Sequence, residues 1–185
     1  RKYFGVNSDN DSTETYGAGV YYYPDDSLSR LANELKSYQD QGYRSVKIKV
    51  GGASVAEDLD RIEQAIAVVG SSVQVAVDAN GRFDRVSAEN FATAISKMNL
   101  RWFEEPGDPL DFDLNRHLTE QYPHALATGE NLFSAVDSRN LIRYGGMRSG
   151  IDVFQMDPGL SYGLTEYVGM LKDLEASGFQ RQQCF

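Results

Sequence analysis

The stretch Ser72-Val73-Gln74-Val75-Ala76-Val77-Asp78 is an apolar run of strand length that ends on a carboxylate, and the chain repeats that design three more times. Leu100-Arg101-Trp102-Phe103-Glu104, the run from His124 to Glu130 and the run from Ile151 to Asp157 each close on an acid, at steps of 26, 26 and 27 residues. One step earlier, 29 residues before Asp78, Ser45-Val46-Lys47-Ile48-Lys49-Val50 carries an amine, Lys49, near its end. A period of this size holds one strand, one crossover helix and two short loops, because parallel strands need a long connection. Polar residues at successive strand ends then gather on one edge of a parallel sheet. In an α/β barrel that edge carries the active site.

Working outward, seven units can be read. Ala18 to Pro24 is aromatic and strand-like, and Asp26 and Ser27 offer an N-cap for a helix with Leu28, Leu31, Leu35 and Tyr38 at helical spacing, stopped by Gly42. After the strand at 45–50, Ser54 and Glu57 form a capping box before a stripe of Leu59, Ile62, Ile66 and Val69. Ser87 is expected to cap the third helix, Leu114 and Leu118 mark a short fourth, and Ser134 begins a fifth. Leu164, Val168, Leu171 and Leu174 are expected to be the buried face of the sixth, closed by Gly178. Gln180 to Phe185 begins a seventh strand, and residues 1–15, with Asn7, Asp9, Asn10 and Asp11, read as an irregular lead-in. Strands alternating with helices specify a parallel α/β sheet, and the regular repeat favours a (β/α)8 barrel of the TIM type. Such a barrel takes about 250 residues. The 185 residues are therefore expected to be a partial barrel, strands one to seven, cut at Phe185 within a larger protein.

Composition narrows the function. A net charge of −9 argues against a nucleic-acid surface, and no apolar stretch is long enough to span a bilayer. No signal peptide is visible, although the chain opens at Arg1 and a leader could have preceded it. The single cysteine, Cys184, has no internal partner, which fits a reducing, cytoplasmic compartment.

Alternation along a strand points Lys47 and Lys49 the same way, with Val46, Ile48 and Val50 on the other face. Two inward lysines are expected to lower each other's pKa, with burial adding to the effect, so that one can act as a base near neutral pH. The plain alternative is a pair of solvated lysines on an edge strand. Asp78, Glu104 and Glu130 would come from three adjacent strands, where ionised carboxylates need a cation. Oxygen ligands suit Mg²⁺, or Mn²⁺ in its place. The competing account of these acids is helix capping. Tyr21, Tyr22, Tyr23, Trp102 and Phe103 read as packing or surface residues, and Gly145-Gly146 as a turn.

In order, Lys47-Ile48-Lys49, Asp78-Ala79-Asn80, Glu104-Glu105-Pro106, Gly129-Glu130-Asn131 and Gln155-Met156-Asp157 resemble the mandelate racemase group of the enolase superfamily. The superfamily pairs a lysine or histidine base with Mg²⁺ that stabilises an ene-diolate. The resemblance implies that Lys49 is the base and that Asp78, Glu104 and Glu130 are the metal ligands. It implies that Lys47 tunes Lys49 and touches substrate, that Asn80 lies near substrate, and that Asp157 orients a catalytic histidine just past Phe185. His117 and His124 do not replace that histidine. No lysine stands at the sixth strand end, where the lactonising and dipeptide-epimerising branch carries one, and this points to the mandelate racemase branch. The resemblance further implies a separate capping domain, absent from these residues, and a homo-oligomer. The expected activity is Mg²⁺-dependent dehydration of a small hydroxy-carboxylate or acid sugar, with D-tartrate going to oxaloacetate. The alternatives are a racemase or epimerase, another acid-sugar dehydratase, or a non-catalytic metal-binding relative. The segment alone is expected to be inactive.

Overall fold

The computed structural model describes residues 13–24, 28–180 and 183–184. The strands are β1 (Gly17–Gly19), β2 (Ser45–Lys49), β3 (Gln74–Asp78), β4 (Leu100–Glu104), β5 (Leu126–Thr128) and β6 (Val153–Phe154). Between and after them run α1 (Leu28–Asp40), α2 (Val55–Val69), α3 (Arg85–Ile95), α4 (Phe112–Gln121), α5 (Ala135–Tyr144) and α6 (Leu164–Ala176). All pairings are parallel, and the strands lie in sequence order from β1 to β6. An open doubly wound sheet reverses direction at a switch point. This sheet never does, and a parallel bridge from Phe154 to Cys184 continues the same sense of winding beyond β6. That is the winding of a (β/α) barrel, part of which this chain supplies.

The two faces of the sheet divide the core. Val46, Ile48, Val75, Val77 and Phe103 pack outward against Leu31, Leu35, Ile62, Phe91, Ile95 and Leu118 of the helices. Each such side chain contributes about 1.5–3 kcal/mol on full burial. Phe154 and Met156 continue this layer against α5 and α6 through Leu141, Met170 and Leu174. On the inner face a separate apolar wall is built from Ala76, Trp102, Ala127 and Val153, with Tyr16 and Ala125 against it.

Several local expectations hold. Ser54 and Glu57 close a reciprocal capping box on α2, and Ser134 does the same with Asp137 on α5. Gly42 follows α1 at φ 88°, a conformation that favours glycine. Others need correction. Asp84, not Ser87, caps α3: its carboxylate accepts the Ser87 N–H at 2.8 Å. On α6 Leu174 is buried and Leu171 packs half-buried against the core as expected, but the second buried residue is Met170, and Leu164 is exposed. β1 stops at Gly19 instead of running on to Pro24, because Val20 sits at φ 53°. A β-branched residue rarely enters that region. Here it is held from both sides: the Val20 N–H donates to Glu34 Oε1 at 2.9 Å, and Arg61 donates to the Val20 carbonyl at 2.9 Å. The N-cap expected at Asp26 and Ser27 and the lead-in residues Asn7 to Asp11 lie outside the described residues.

Candidate active site

Register places three of the expected residues in one row. Lys49 pairs with Asp78 across β2 and β3, and Asp78 pairs with Glu104 across β3 and β4. A register irregularity between Val75 and Val77 inserts an extra β4 residue, yet the strand ends realign at Asp78 and Glu104. Lys47 lies two residues back on the same face. Its Nζ is 2.5 Å from Glu104 Oε1 and 3.2 Å from Asp78 Oδ2, so one ammonium bridges two carboxylates. Lys49 Nζ is 2.5 Å from Asp78 Oδ2 and donates to Asn80 Oδ1 at 2.6 Å. Asn80 reaches that position from a left-handed backbone, φ 45°, and its own N–H donates to Asp78 Oδ1 at 2.9 Å.

The cluster is buried and strongly charged. Asp78, Glu104 and Glu105 are 0%, 1% and 2% exposed. Burial raises the Glu104 carboxyl, and the Asp78 charge raises it further, against the pull of Lys47 and Gln155. Burial pushes Glu105 up to about 7, opposed by a hydrogen bond from Asn131 Nδ2 at 2.8 Å and reinforced by Glu130, Asp78 and Glu104. For Lys47 the expected lowering is overturned. Burial does disfavour its ammonium, but Glu104 and Asp78 outweigh that and hold Lys47 above the ordinary lysine range. The carboxylates, 2.5 and 3.2 Å from Nζ, decide the charge of Lys47.

Glu130 lies two residues beyond β5, half-buried, and its charge is felt at Glu105. Among the described residues it makes no hydrogen bond or ion pair, and no three His, Cys, Asp or Glu side chains converge closely enough to hold an ion. Asp78 and Glu104 do share a cation, Lys47. Asp157 stands apart from this cluster: it is exposed, and its Oδ1 accepts the Gly159 N–H at 2.6 Å in the turn after β6. His117 pairs with Glu89 at 2.6 Å on the outer helices, and His124 contacts the Ser96 carbonyl at 2.7 Å near the entry end of β5.

Residues without an assigned role in the sequence also enter the site. Trp102 Nε1 and Gln155 Nε2 each donate to Glu104 Oε2 at 2.9 Å. Gln155 Oε1, on the same amide, is buried without a hydrogen-bond partner among the described residues. The Tyr16 ring lies 5.3 Å from Lys47 Nζ, and the Tyr21 ring 5.7 Å from Lys49 Nζ. Strand parity could have found Trp102, two residues before Glu104 on the same face, and Gln155, two residues past Val153. Nothing in the sequence points to the tyrosines; Tyr16 immediately precedes β1, and Tyr21 follows the turn at Val20.

The donor set fits a hard divalent cation in its chemistry. Asp78, Glu104, Glu105 and Glu130 offer only oxygen, the first three crowd like charges into a buried place with the charge of half-buried Glu130 felt at Glu105, and the Gln155 amide oxygen is buried without a partner among the described residues.

Residues 30–181 match the family described as enolase C-terminal domain-like. The chain is 28% identical over 151 residues to the arabinonate dehydratase of Saccharolobus solfataricus, a match covering 82% of this chain and 39% of that protein. It superimposes on the crystal structure of L-talarate dehydratase from Polaromonas sp. JS666, complexed with Mg and L-glucarate, with a TM-score of 0.83 and 28% identity. That match covers 94% of this chain and 47% of the other. A racemase from Streptomyces coelicolor A3(2) with bound magnesium aligns at a TM-score of 0.81 and 27% identity, over 90% of this chain and 48% of its own. The chain thus spans less than half the length of each. With its sheet winding, its strand-end row and a match over most of its length, the chain belongs to the enolase superfamily, in the family whose members include mandelate racemase and muconate lactonizing enzyme.

Proposed function

We propose that the complete protein is a Mg²⁺-dependent dehydratase of a hydroxy-carboxylate of the acid-sugar class, and that D-tartrate, giving oxaloacetate, is the first substrate to test. The observation that carries this reading is the row Lys49, Asp78, Glu104, in which a lysine amine and buried carboxylates meet at the C-terminal ends of adjacent strands. The dehydratases among its relatives support the reaction class. In this reading residues 1–185 form part of one barrel domain, and a separate capping domain closes the barrel mouth.

Asp78, Glu104 and Glu130 would hold the ion, Mg²⁺ or Mn²⁺. When bound, it supplies positive charge against the dianion formed as the α-proton leaves. Lys49, as the free amine, takes that proton from the carbon next to the substrate carboxylate. Asn80 Oδ1, 2.6 Å from Nζ, directs the amine and can accept from the ammonium that results. Lys47 keeps its charge beside Asp78 and Glu104 and offers a cation to the substrate carboxylate. Asp157 would orient the general acid, which gives a proton to the departing β-hydroxyl. One water leaves, and the enol tautomerises to the ketone, so the balance is tartrate to oxaloacetate plus water.

A racemase is the second reading, favoured by the magnesium-bound racemase among the structural neighbours. It needs a base on each face of the α-carbon and no loss of water. A purely metal-binding relative would do neither. Incubating the complete protein and Mg²⁺ with a panel of acid sugars in deuterated water separates the three. Keto-acid product from a substrate with a β-hydroxyl is the expected result. Deuterium at the α-carbon with inverted configuration and no water loss would replace the dehydratase by a racemase, and neither change across the panel would overturn the enzymatic reading.

A further inference from the structure

The two oxygens of the Glu104 carboxylate have different partners, and those on Oε2 are both neutral donors. Oε2 accepts two N–H groups, from the Trp102 indole and the Gln155 amide, both at 2.9 Å. Oε1 receives neither of them and faces Lys47 Nζ at 2.5 Å, on the side where Asp78 Oδ2 also lies, 3.2 Å from the same nitrogen. All three residues are buried, at 1%, 1% and 6% exposure for Trp102, Glu104 and Gln155.

We propose that Trp102 and Gln155 are positioning residues that lock the Glu104 carboxylate, so that Oε1 alone is presented beside Asp78 for a cation. This rests on the assignment of Asp78, Glu104 and Glu130 as metal ligands. Both donors are neutral, so they orient the carboxylate without competing for its charge, and two donors on one oxygen stop it from rotating about its last bond. Partners that orient a metal ligand from behind affect metal affinity in this way.

The sequence makes room for the clamp. Trp102 reaches Glu104 because the two stand two positions apart, with only Phe103 between them, on one strand face. Gln155 follows β6, two strands away, and must cross over β5. The residue directly opposite Glu104 on β5 is Ala127, and the next on that face is Gly129, where an added Cβ would come within 3.1 Å of the Gln155 backbone nitrogen. A side chain at Gly129 would press on the backbone that carries Gln155. The other end of that amide, Oε1, is buried with no partner among the described residues, so the side chain keeps its contact with Glu104 at the expense of its own satisfaction. Such a local conflict marks a position serving something other than stability.

The test measures Mn²⁺ affinity by electron paramagnetic resonance, with no substrate, in the complete protein after chelation. The variants are Trp102→Phe, Gln155→Leu and Glu104→Gln, with each of the first two also combined with the last. Trp102→Phe keeps an aromatic ring in the wall and removes the indole N–H together with part of the ring system. Each single substitution of a donor is expected to weaken Mn²⁺ binding about 10–100-fold. Added to Glu104→Gln, the same change should have no further effect, because its route to the metal is already cut. Equal losses in both backgrounds would show a general structural role and overturn the clamp, as would wild-type affinity in both single variants. Failure of the wild-type protein to bind Mn²⁺, or an unchanged affinity in Glu104→Gln alone, would instead remove the ligand assignment, and the clamp with it.

Discussion

Lys49 and Asp78 are register partners on β2 and β3, and their side chains meet with Nζ 2.5 Å from Oδ2. The Asp78 side chain is wholly buried while that of Lys49 keeps 16% of its surface, so the contact runs from the solvent side inward. Lys47, two residues earlier, is the more deeply enclosed, at 7%, and lies between two carboxylates. Lys47 therefore neutralises buried charge, and Lys49 carries the more exposed of the two amines.

Lys49→Ala in the complete protein should abolish exchange of the substrate α-proton with solvent deuterium, together with turnover. A positioned proton acceptor contributes about 10²–10⁴-fold, and the loss should fall in or beyond that range. The exchange is followed by proton NMR. Exchange that persists at the wild-type rate would assign the base to another residue.

Glu105 gives the metal-free protein a predictable pH dependence. Its folded-state pKa of about 7, raised chiefly by burial, lies above the ordinary carboxyl value of 4.5. The folded state thus binds this proton more tightly than the unfolded state. The stability it contributes is fully present below about pH 4.5 and is lost as pH rises through about 7. Glu105→Gln removes the titration. Relative to wild type in the presence of a chelator, the variant should gain stability at pH 8 and gain little at pH 5, read from urea denaturation midpoints. A constant difference across that interval would mean that Glu105 does not titrate there.

The residues that make the strand-end row were legible because they obey two short rules: a period of 26 to 29 residues and alternation along a strand. Capping chemistry gave α2 and α5 for the same reason, since Ser54 with Glu57 and Ser134 with Asp137 are local patterns. What the sequence hid is set by contacts across the fold. Val20 breaks β1 because Glu34 and Arg61, from two different helices, bind its backbone. The charge state of Lys47 is decided by Glu104, 57 residues away along the chain. Asp84 and Ser87 compete as caps within one turn, and only the backbone angle at Asp84 settles which residue accepts.

Gly42 ends α1 at φ 88° with nothing near the space a Cβ would fill. A substitution there meets no steric obstacle beyond its own backbone. Gly42→Ala should therefore destabilise the protein by about 1–2 kcal/mol, the cost of a left-handed conformation for an L-residue. A urea denaturation series gives the value. Unchanged stability would show that α1 can end another way.

The entry ends of β5 and β6 are joined by one buried ion pair, and removing it should cost far more. Asp152 is 0% exposed and accepts the Leu126 N–H at 2.9 Å, the Arg148 N–H at 2.7 Å and the Arg148 guanidinium at 2.7 Å. Arg148 in turn donates to the Tyr122 and His124 carbonyls at 2.9 and 2.7 Å. Asp152→Ala leaves a guanidinium and two backbone donors without their acceptor, a loss of about 3–5 kcal/mol for a buried pair. The Arg148 side chain keeps 24% of its surface, which places the expected value at the lower end, about 3 kcal/mol. Arg85 and Asp113, at 42% and 62% exposure, are the control, and Asp113→Ala should leave the unfolding midpoint nearly unchanged. This pair lies away from the lysine–carboxylate row, so Asp152→Ala should lower the unfolding midpoint while leaving Mn²⁺ affinity within about twofold of wild type, below the 10–100-fold range expected for a residue behind a metal ligand. A large fall in metal affinity at a temperature where the variant is still folded would show that the two ends of the barrel are coupled.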